Sequence, residues 1–233
     1  MCGRYTLSVP LSNLVDAFDI SPPEFDYRPR YNIAPTQEVP VIAQDERGRR
    51  MGLLRWGLVP SWAKDPAIGN RMINARSETA AQKPAFRSAL RQRRCLVPAD
   101  GFYEWKKEGG GEGGKPTKTP FWIHRAGGET FAFAGLWERW EPGDGPPLYT
   151  FTILTTEASP EIRHIHPRMP VILPTATRPS WLDASSDPVP LLDSLRNSAG
   201  LPLQAHPVSS LVNSPRNDLP ACIEPVDPSQ LTG

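Results

Sequence analysis

Cys2 has the most distinctive chemistry open to it of any residue in the chain. Loss of Met1 would leave it first, with an α-amine and a thiol on adjacent carbons, a 1,2-aminothiol. The reference pKa of such an amine is about 7.7–8.0, against about 10.4 for lysine, so an appreciable fraction is neutral at physiological pH. A neutral amine condenses with an aldehyde to a Schiff base. The neighbouring thiol can then close on the imine carbon, giving a five-membered thiazolidine, and proximity makes this second step intramolecular and fast. Position alone also fits a small strand residue, so the other candidates must weigh in.

In GFYEW, residues 101–105, strand alternation puts Phe102 and Glu104 on one face with Tyr103 and Trp105 on the other. A carboxyl among aromatics has its pKa raised by desolvation, which suits proton transfer to or from a carbonyl, carbinolamine or imine. An arginine partner would instead keep Glu104 ionised and structural. In RMINARSETA, Asn74 and Arg76 share a face if the segment is extended, and an amide can hold a hydroxyl or oxyanion without titrating. In IRHIHPRMP, His166 and Arg168 would share a strand face, an acid/base beside a phosphate anchor, although a lone histidine also serves as packing. Four histidines and three cysteines show no C-x2-C or H-x3-H spacing, so no metal is expected. Neither a phosphate-cradling P-loop nor a G-x-S-x-G elbow is present.

The elements that must position these groups are mostly strands. LSNLVDAFDI carries Leu11, Leu14, Val15 and Phe18 at helical spacing, with Ser12 as a candidate cap. VPVIAQD and MGLLRWGLVP are strands around the turn DERGRR. SETAAQKPAFRSALRQRR divides near Pro84 into two helical pieces, with Phe86, Ala89 and Leu90 inward and the arginines outward. CLVPADGFYEW and FWIHR form a hairpin whose tip, residues 107–119, includes GGGEGGK. TFAFAGLWERW, LYTFTILTTEA and RMPVILP add three strands, and Pro190 to Arg196 a late helix closed by Gly200. With no internal repeat and no β-α-β alternation, the expectation is one α+β domain over residues 1–233, mostly antiparallel with peripheral helices.

At 233 residues the chain is long enough to bury a core without staples. It has 28 prolines, about 12% against a usual ~5%, spread along its length, which favours short strands and rigid turns. No long apolar run or signal-like start is seen and the three cysteines have unrelated spacings, so a reducing cytoplasm is expected. The net charge is +1, unevenly distributed: residues 1–100 carry 15 basic and 10 acidic side chains, residues 101–233 carry 11 and 15. Between Arg47 and Arg94 lie twelve basic residues and two acids, Asp65 and Glu78, interleaved with Trp56, Trp62 and Phe86. Such a stretch suits phosphate contacts with base-stacking platforms, or a solvated charged face. Arginine outnumbers lysine 20 to 6, which favours bidentate phosphate binding.

The segments MCGRYTL, RYNIAPTQ, WGLVPSWAKD, MINARSETA, VPADGFYEW, AGLWERW, IHPRMPVIL and HPVSSLVNSPRND occur in an order that resembles the SOS-response-associated peptidase (SRAP) family, also described as abasic-site processing proteins. The resemblance spans nearly the whole chain. It implies a mixed fold with an antiparallel barrel-like core and a DNA cleft, and covalent capture of the abasic-site aldehyde in single-stranded DNA. Matching positions imply Cys2 as nucleophile, Asn74 as a holder of the opened sugar or terminal amine, Glu104 as acid/base, and His166 as an aid to Schiff-base formation and reversal. Arg4, Arg76 and Arg168 match phosphate-contacting positions, with Gly3 permitting close backbone approach, and Trp62 and Trp105 match aromatics along the DNA path. Pro167 departs from the acidic or polar residue common after that histidine. It removes an N–H and restricts His166 towards extended backbone.

No cofactor, metal or membrane is implied, and a monomer at the nucleoid is the expected working unit. The family name leaves open whether Met1 is removed autocatalytically. A lyase side reaction follows if ring closure is slow, because the imine acidifies neighbouring protons. Two other readings stand beside this one: an N-terminal-nucleophile amidase using the Cys2 thiolate, and a non-catalytic DNA-binding module with salt-dependent affinity.

Overall fold

The polypeptide, in a computed structural model that describes residues 2–109, 117–197 and 202–227, forms a mixed α+β fold dominated by strands. The first half contributes β1 (Tyr5–Leu7), α1 (Leu11–Phe18), β2 (Arg30–Ile33), β3 (Glu38–Asp45), β4 (Gly48–Trp56), β5 (Asn74–Arg76), α2 (Arg87–Gln92) and β6 (Arg94–Ala99). The second contributes β7 (Gly101–Glu108), β8 (Thr117–Arg125), β9 (Phe131–Trp140), β10 (Leu148–Glu157), β11 (Arg168–Pro170), β12 (Ile172–Leu173), α3 (Arg178–Leu182), α4 (Pro188–Asn197) and β13 (Leu203–Pro207).

Two sheets result. One has the order β13-β8-β7-β1-β2. In the other, β4, β3, β6, β9 and β10 pair in succession, and β10 pairs back onto β4, closing a ring with β5, β11 and β12 at its margins. The ring departs from the expected antiparallel barrel. β3 meets β6 only at Ile42 and Leu96, and the closing β10–β4 contact is parallel and two residues long. Chain direction explains the parallel pairing: β4 leaves β10 at Trp56, and after an excursion over residues 57–73 the chain rejoins the same strand in the same direction as β5.

Burial follows strand periodicity. β6 (RCLVPA) is buried at every position, as an apolar run inside a ring must be. On β7, Phe102 faces the main core with Tyr5, Trp56 and Phe133, while Tyr103 faces a smaller cluster of Trp122, Val208, Val212 and Cys222. The expected alternation holds there. α1 buries Leu14 and Phe18, but its N-cap is Pro10 and Ser12 makes no capping bond.

Three further expectations are corrected. Residues 77–86 form successive turns, such as Ala80 N–H to Arg76 O, so α2 is the single helix of that stretch. Arg94 points inward: its guanidinium donates to the carbonyls of Trp181 (2.6 Å), Leu90 (2.8 Å), Ser186 (3.1 Å) and Asp183, and so closes the ends of α2 and α3. The β7–β8 ladder runs out to Glu108 and Thr117, so the hairpin tip is shorter than 107–119. Residues 110–116 of that tip, and Gly200, lie outside the described residues.

The base of the 57–73 excursion is stitched to the ring. Gly57 N–H donates to Phe151 O (2.8 Å), Leu58 N–H to Met72 O (3.1 Å) and the Trp56 indole to Ile73 O (2.8 Å). Gly57 has φ +129°, and a Cβ there would lie 2.6 Å from Gly69 O. A Gly57→Ala substitution is therefore expected to cost about 2–4 kcal/mol, combining positive φ with a backbone clash. Thermal unfolding followed by circular dichroism would measure it, and a loss below about 1 kcal/mol would mean that the two backbones can part freely.

Candidate active site

Four of the sequence candidates meet at one end of the two sheets. Pairing of β1 with β7 (Tyr5 opposite Phe102, Tyr103 N–H to Arg4 O at 2.9 Å) directs the chain's first residues back alongside Glu104 and Trp105. Cys2 is fully buried there, its thiol 3.7 Å from Arg4 O. Asn74, the first residue of β5, donates its amide to Cys2 O at 2.7 Å. Ala75 is buried and Arg76 exposed, which is the face-sharing expected of Asn74 and Arg76. The Asn74 Oδ1 is buried and accepts no hydrogen bond among the described residues. It stands beside Cys2 as an open acceptor.

Glu104 is 3% exposed, and desolvation raises its carboxyl pKa from 4.5 to about 7, against the opposing charge of the chain's terminal amine. At neutral pH it is thus divided between acid and carboxylate. The Cys2 thiol is pushed far above its usual range, first by burial and then by the Glu104 charge. It is a thiol, not a thiolate, in this setting. His166 is shifted down by desolvation, which outweighs its hydrogen bond to Arg168 O, and the positive charges of the terminal amine, Lys107 and Arg168 lower it further. It is therefore neutral at physiological pH, with Nδ1 3.7 Å from Glu104 Oε1, too far for a direct hydrogen bond.

The expected strand face shared by His166 and Arg168 is not formed. His166 leaves a turn held by its own N–H to Ile162 O (3.2 Å), and β11 begins only at Arg168, after the bend at Pro167. Its ring folds back, with Nδ1 2.9 Å from Arg168 O and 3.1 Å from Arg168 N. That backbone contact, rather than alternation, aims the imidazole towards Glu104.

The arginines differ in what holds them. Arg76 is exposed. Arg168 receives both oxygens of Glu78, at 2.6 and 3.0 Å, and also donates to Thr155 O at 2.7 Å. Arg4 turns inward, donating from Nη1 to Asn32 Oδ1 (2.8 Å) and Val212 O (2.6 Å), with its guanidinium over the Trp105 ring. Trp105 donates to Asn213 Oδ1 at 2.8 Å. Trp62 is 59% exposed and stands apart from the four, on the 57–73 excursion, in an open cleft with Lys64, Asn70 and Arg71. The basic stretch is accordingly mixed. Arg93 pairs with Glu138, Arg50 with Asp45, and Arg94 is buried, while Lys64, Arg71, Arg76, Arg87 and Arg91 are exposed.

Sequence reasoning passed over the residues that support this corner. The Asn32 amide donates to three carbonyls, those of Val212 (3.2 Å), Ser214 (3.0 Å) and Asn217 (2.7 Å). The Asp218 carboxylate accepts from Tyr31 N (2.6 Å), Asn32 N (3.0 Å) and the Arg30 guanidinium. Residues 212–218 are thereby fastened to β2 behind Arg4. The segments RYNIAPTQ and HPVSSLVNSPRND contain both partners, but a polar residue gives no local sign of a partner some 180 residues away. Among the described residues, no group of three or more His, Cys, Asp or Glu side chains is placed to hold a metal, and no helix is long and apolar enough to cross a membrane.

Solved structures of other proteins share this fold. A solved Bacteroides thetaiotaomicron protein, 24% identical, superposes with a TM-score of 0.83 over 97% of this chain and all of its own, and supports the fold. A solved Bordetella bronchiseptica protein, 28% identical, gives 0.74 over 89% of this chain and all of its own. Abasic site processing protein YoqW of Bacillus subtilis is 45% identical, covering 96% of this chain and 99% of that protein. Abasic site processing protein HMCES of Gallus gallus is 37% identical over 86% of this chain and 67% of its own length. The model of the family described as SOS response associated peptidase (SRAP) matches residues 1–215, and the chain belongs to that family.

Proposed function

We propose that the chain processes abasic sites in single-stranded DNA by covalent capture through Cys2 once Met1 is gone. The observation that carries the reading is the Asn74 amide on Cys2 O at 2.7 Å, which holds Cys2 beside Glu104. Relatives named abasic site processing proteins supply the substrate class.

The chemistry follows from the protonation states. The neutral α-amine attacks the C1 aldehyde of the opened sugar, forming a C–N bond and a carbinolamine. Protonated Glu104 donates to the carbinolamine hydroxyl, which leaves as water, and an iminium forms. The Cys2 thiol then adds its sulfur to the imine carbon, the S–H proton passing to the Glu104 carboxylate, and the thiazolidine is complete. The net change is loss of one water. A thiol held protonated by burial favours this order, amine first and sulfur second. Neutral His166, with Nδ1 3.7 Å from Glu104 Oε1, would exchange protons with Glu104 through a bridging water. Arg76 and Arg168 would hold flanking phosphates, and Trp62 and Trp105 would stack on bases.

The test is intact mass after incubating the Met1-free protein with an abasic oligonucleotide. The expected species survives denaturation and weighs protein plus DNA minus one water. A mass lacking that loss, or an adduct placed away from Cys2, would refute the reading. Asn74→Ala is expected to slow single-turnover crosslinking by roughly 10- to 100-fold, with affinity for the strand nearly unchanged, because it frees Cys2 to move. An equal loss of affinity would make Asn74 a DNA contact instead.

A further inference from the structure

We propose that Glu78 is a displaceable stand-in for a DNA phosphate, held on Arg168 until a strand arrives. The inference rests on the DNA-binding reading above. The Arg168 guanidinium engages both Glu78 oxygens at 2.6 and 3.0 Å, the forked arrangement that a phosphate also satisfies. Its placement does not depend on Glu78 alone, because Thr155 O anchors Nη2 from behind at 2.7 Å. When the carboxylate leaves, the fork remains in position.

The surroundings fit a phosphate site. β5 and β11 flank β10, with Arg76 opposite Thr155 on one side and Arg168 reaching the same Thr155 carbonyl from the other. Two guanidinium-bearing residues thus border the spot that Glu78 occupies. Arg76 lies two strand residues beyond Asn74, about 6.6 Å at a rise of 3.3 Å per residue, so a phosphate held here would flank a sugar held at Cys2 and Asn74. Of the two acids between Arg47 and Arg94, Asp65 is engaged with Ala67 N at 2.8 Å, capping its own turn. Glu78 is the one set against an arginine of this cluster.

The consequence is selectivity. Every strand, damaged or not, must displace the carboxylate, so non-covalent affinity is held down and retention falls to the covalent step at the lesion. A strut that merely positions Arg168 would have the opposite sign, since its loss would weaken binding.

The experiment is a double-mutant cycle. Kd for an undamaged single-stranded oligonucleotide is measured by fluorescence anisotropy at fixed salt, for the wild type, Glu78→Gln, Arg168→Met and the double variant. Glu78→Gln is expected to tighten binding about three- to tenfold, and the gain to vanish in the Arg168→Met background. An unchanged or weaker Kd overturns the inference in favour of a strut. The same gain in both backgrounds overturns it in favour of a diffuse field. Glu78→Ser serves as a second variant if the glutamine form does not fold. Capture of abasic DNA by the wild type with no gain from Glu78→Gln sinks this inference alone. Failure of the wild type to bind any strand sinks the proposed function with it.

Discussion

Cys2→Ala is expected to lower the yield of heat-stable adduct on abasic single-stranded DNA by at least about 10³-fold, while Kd for an undamaged strand stays within about twofold. The alanine variant keeps its terminal amine, so it still forms the imine. Without sulfur beside it, the imine either reverts or loses a proton from the adjacent sugar carbon, and strand cleavage should rise as adduct falls. Borohydride, which reduces imines, should therefore trap the alanine variant on the DNA. Adding one residue before Cys2 gives a different pattern, because the amine moves away from the thiol and both the adduct and the trapped imine should fall. Denaturing gels with and without borohydride distinguish the two variants. Stable adduct from Cys2→Ala would show that another nucleophile does the work.

Glu104→Gln is expected to move activity and stability in opposite directions. Loss of the proton donor and acceptor should slow single-turnover crosslinking by about 10²- to 10³-fold. Stability should rise. The folded pKa of Glu104, about 7, lies above its reference value of 4.5, so the folded state binds the extra proton more tightly than the unfolded state. Stability of the wild type consequently falls as pH climbs from about 4.5 to 7 and is lowest above 7. Glutamine mimics the neutral acid throughout. The variant should match the wild type below about pH 4.5 and exceed it by about 3 kcal/mol at pH 8, at 1.36 kcal/mol per pKa unit. Chemical denaturation at several pH values measures this, and a gap that narrows with rising pH would mean that the interactions of Glu104 favour its carboxylate more than burial opposes it. In the rate profile, the decline above about pH 7 that reflects Glu104 acting as an acid should vanish with the substitution.

Residue types and strand periodicity made much of this legible. The aminothiol argument needs only Cys2, the facing of Phe102 and Glu104 follows from a two-residue repeat, and the shared face of Asn74 and Arg76 needs no more. Less visible was how these pieces come together. Asn74 reaches Cys2 because β5 resumes the path of β4 along β10 after the 57–73 excursion, and no local pattern announces a parallel return. Strand alternation does not carry through Pro167 to His166, because a turn and a ring-to-backbone contact prevail there. Arg94 was assigned to the surface by its neighbours' charge, yet five carbonyl contacts compensate its burial. In each case a long-range partner overrode a local rule.

The fastening of residues 212–218 to β2 sets an order of events for the nascent chain. Arg4, two positions from Cys2, waits for Val212 O as a hydrogen-bond acceptor, and β1 waits for β7. Residues 2–7 are therefore among the last to find their native neighbours, and such long-range closure slows folding. Until that closure the Cys2 thiol lacks the neighbours that bury it. Burial of that thiol therefore comes with completion of the fold, so its reactivity before and after folding should differ.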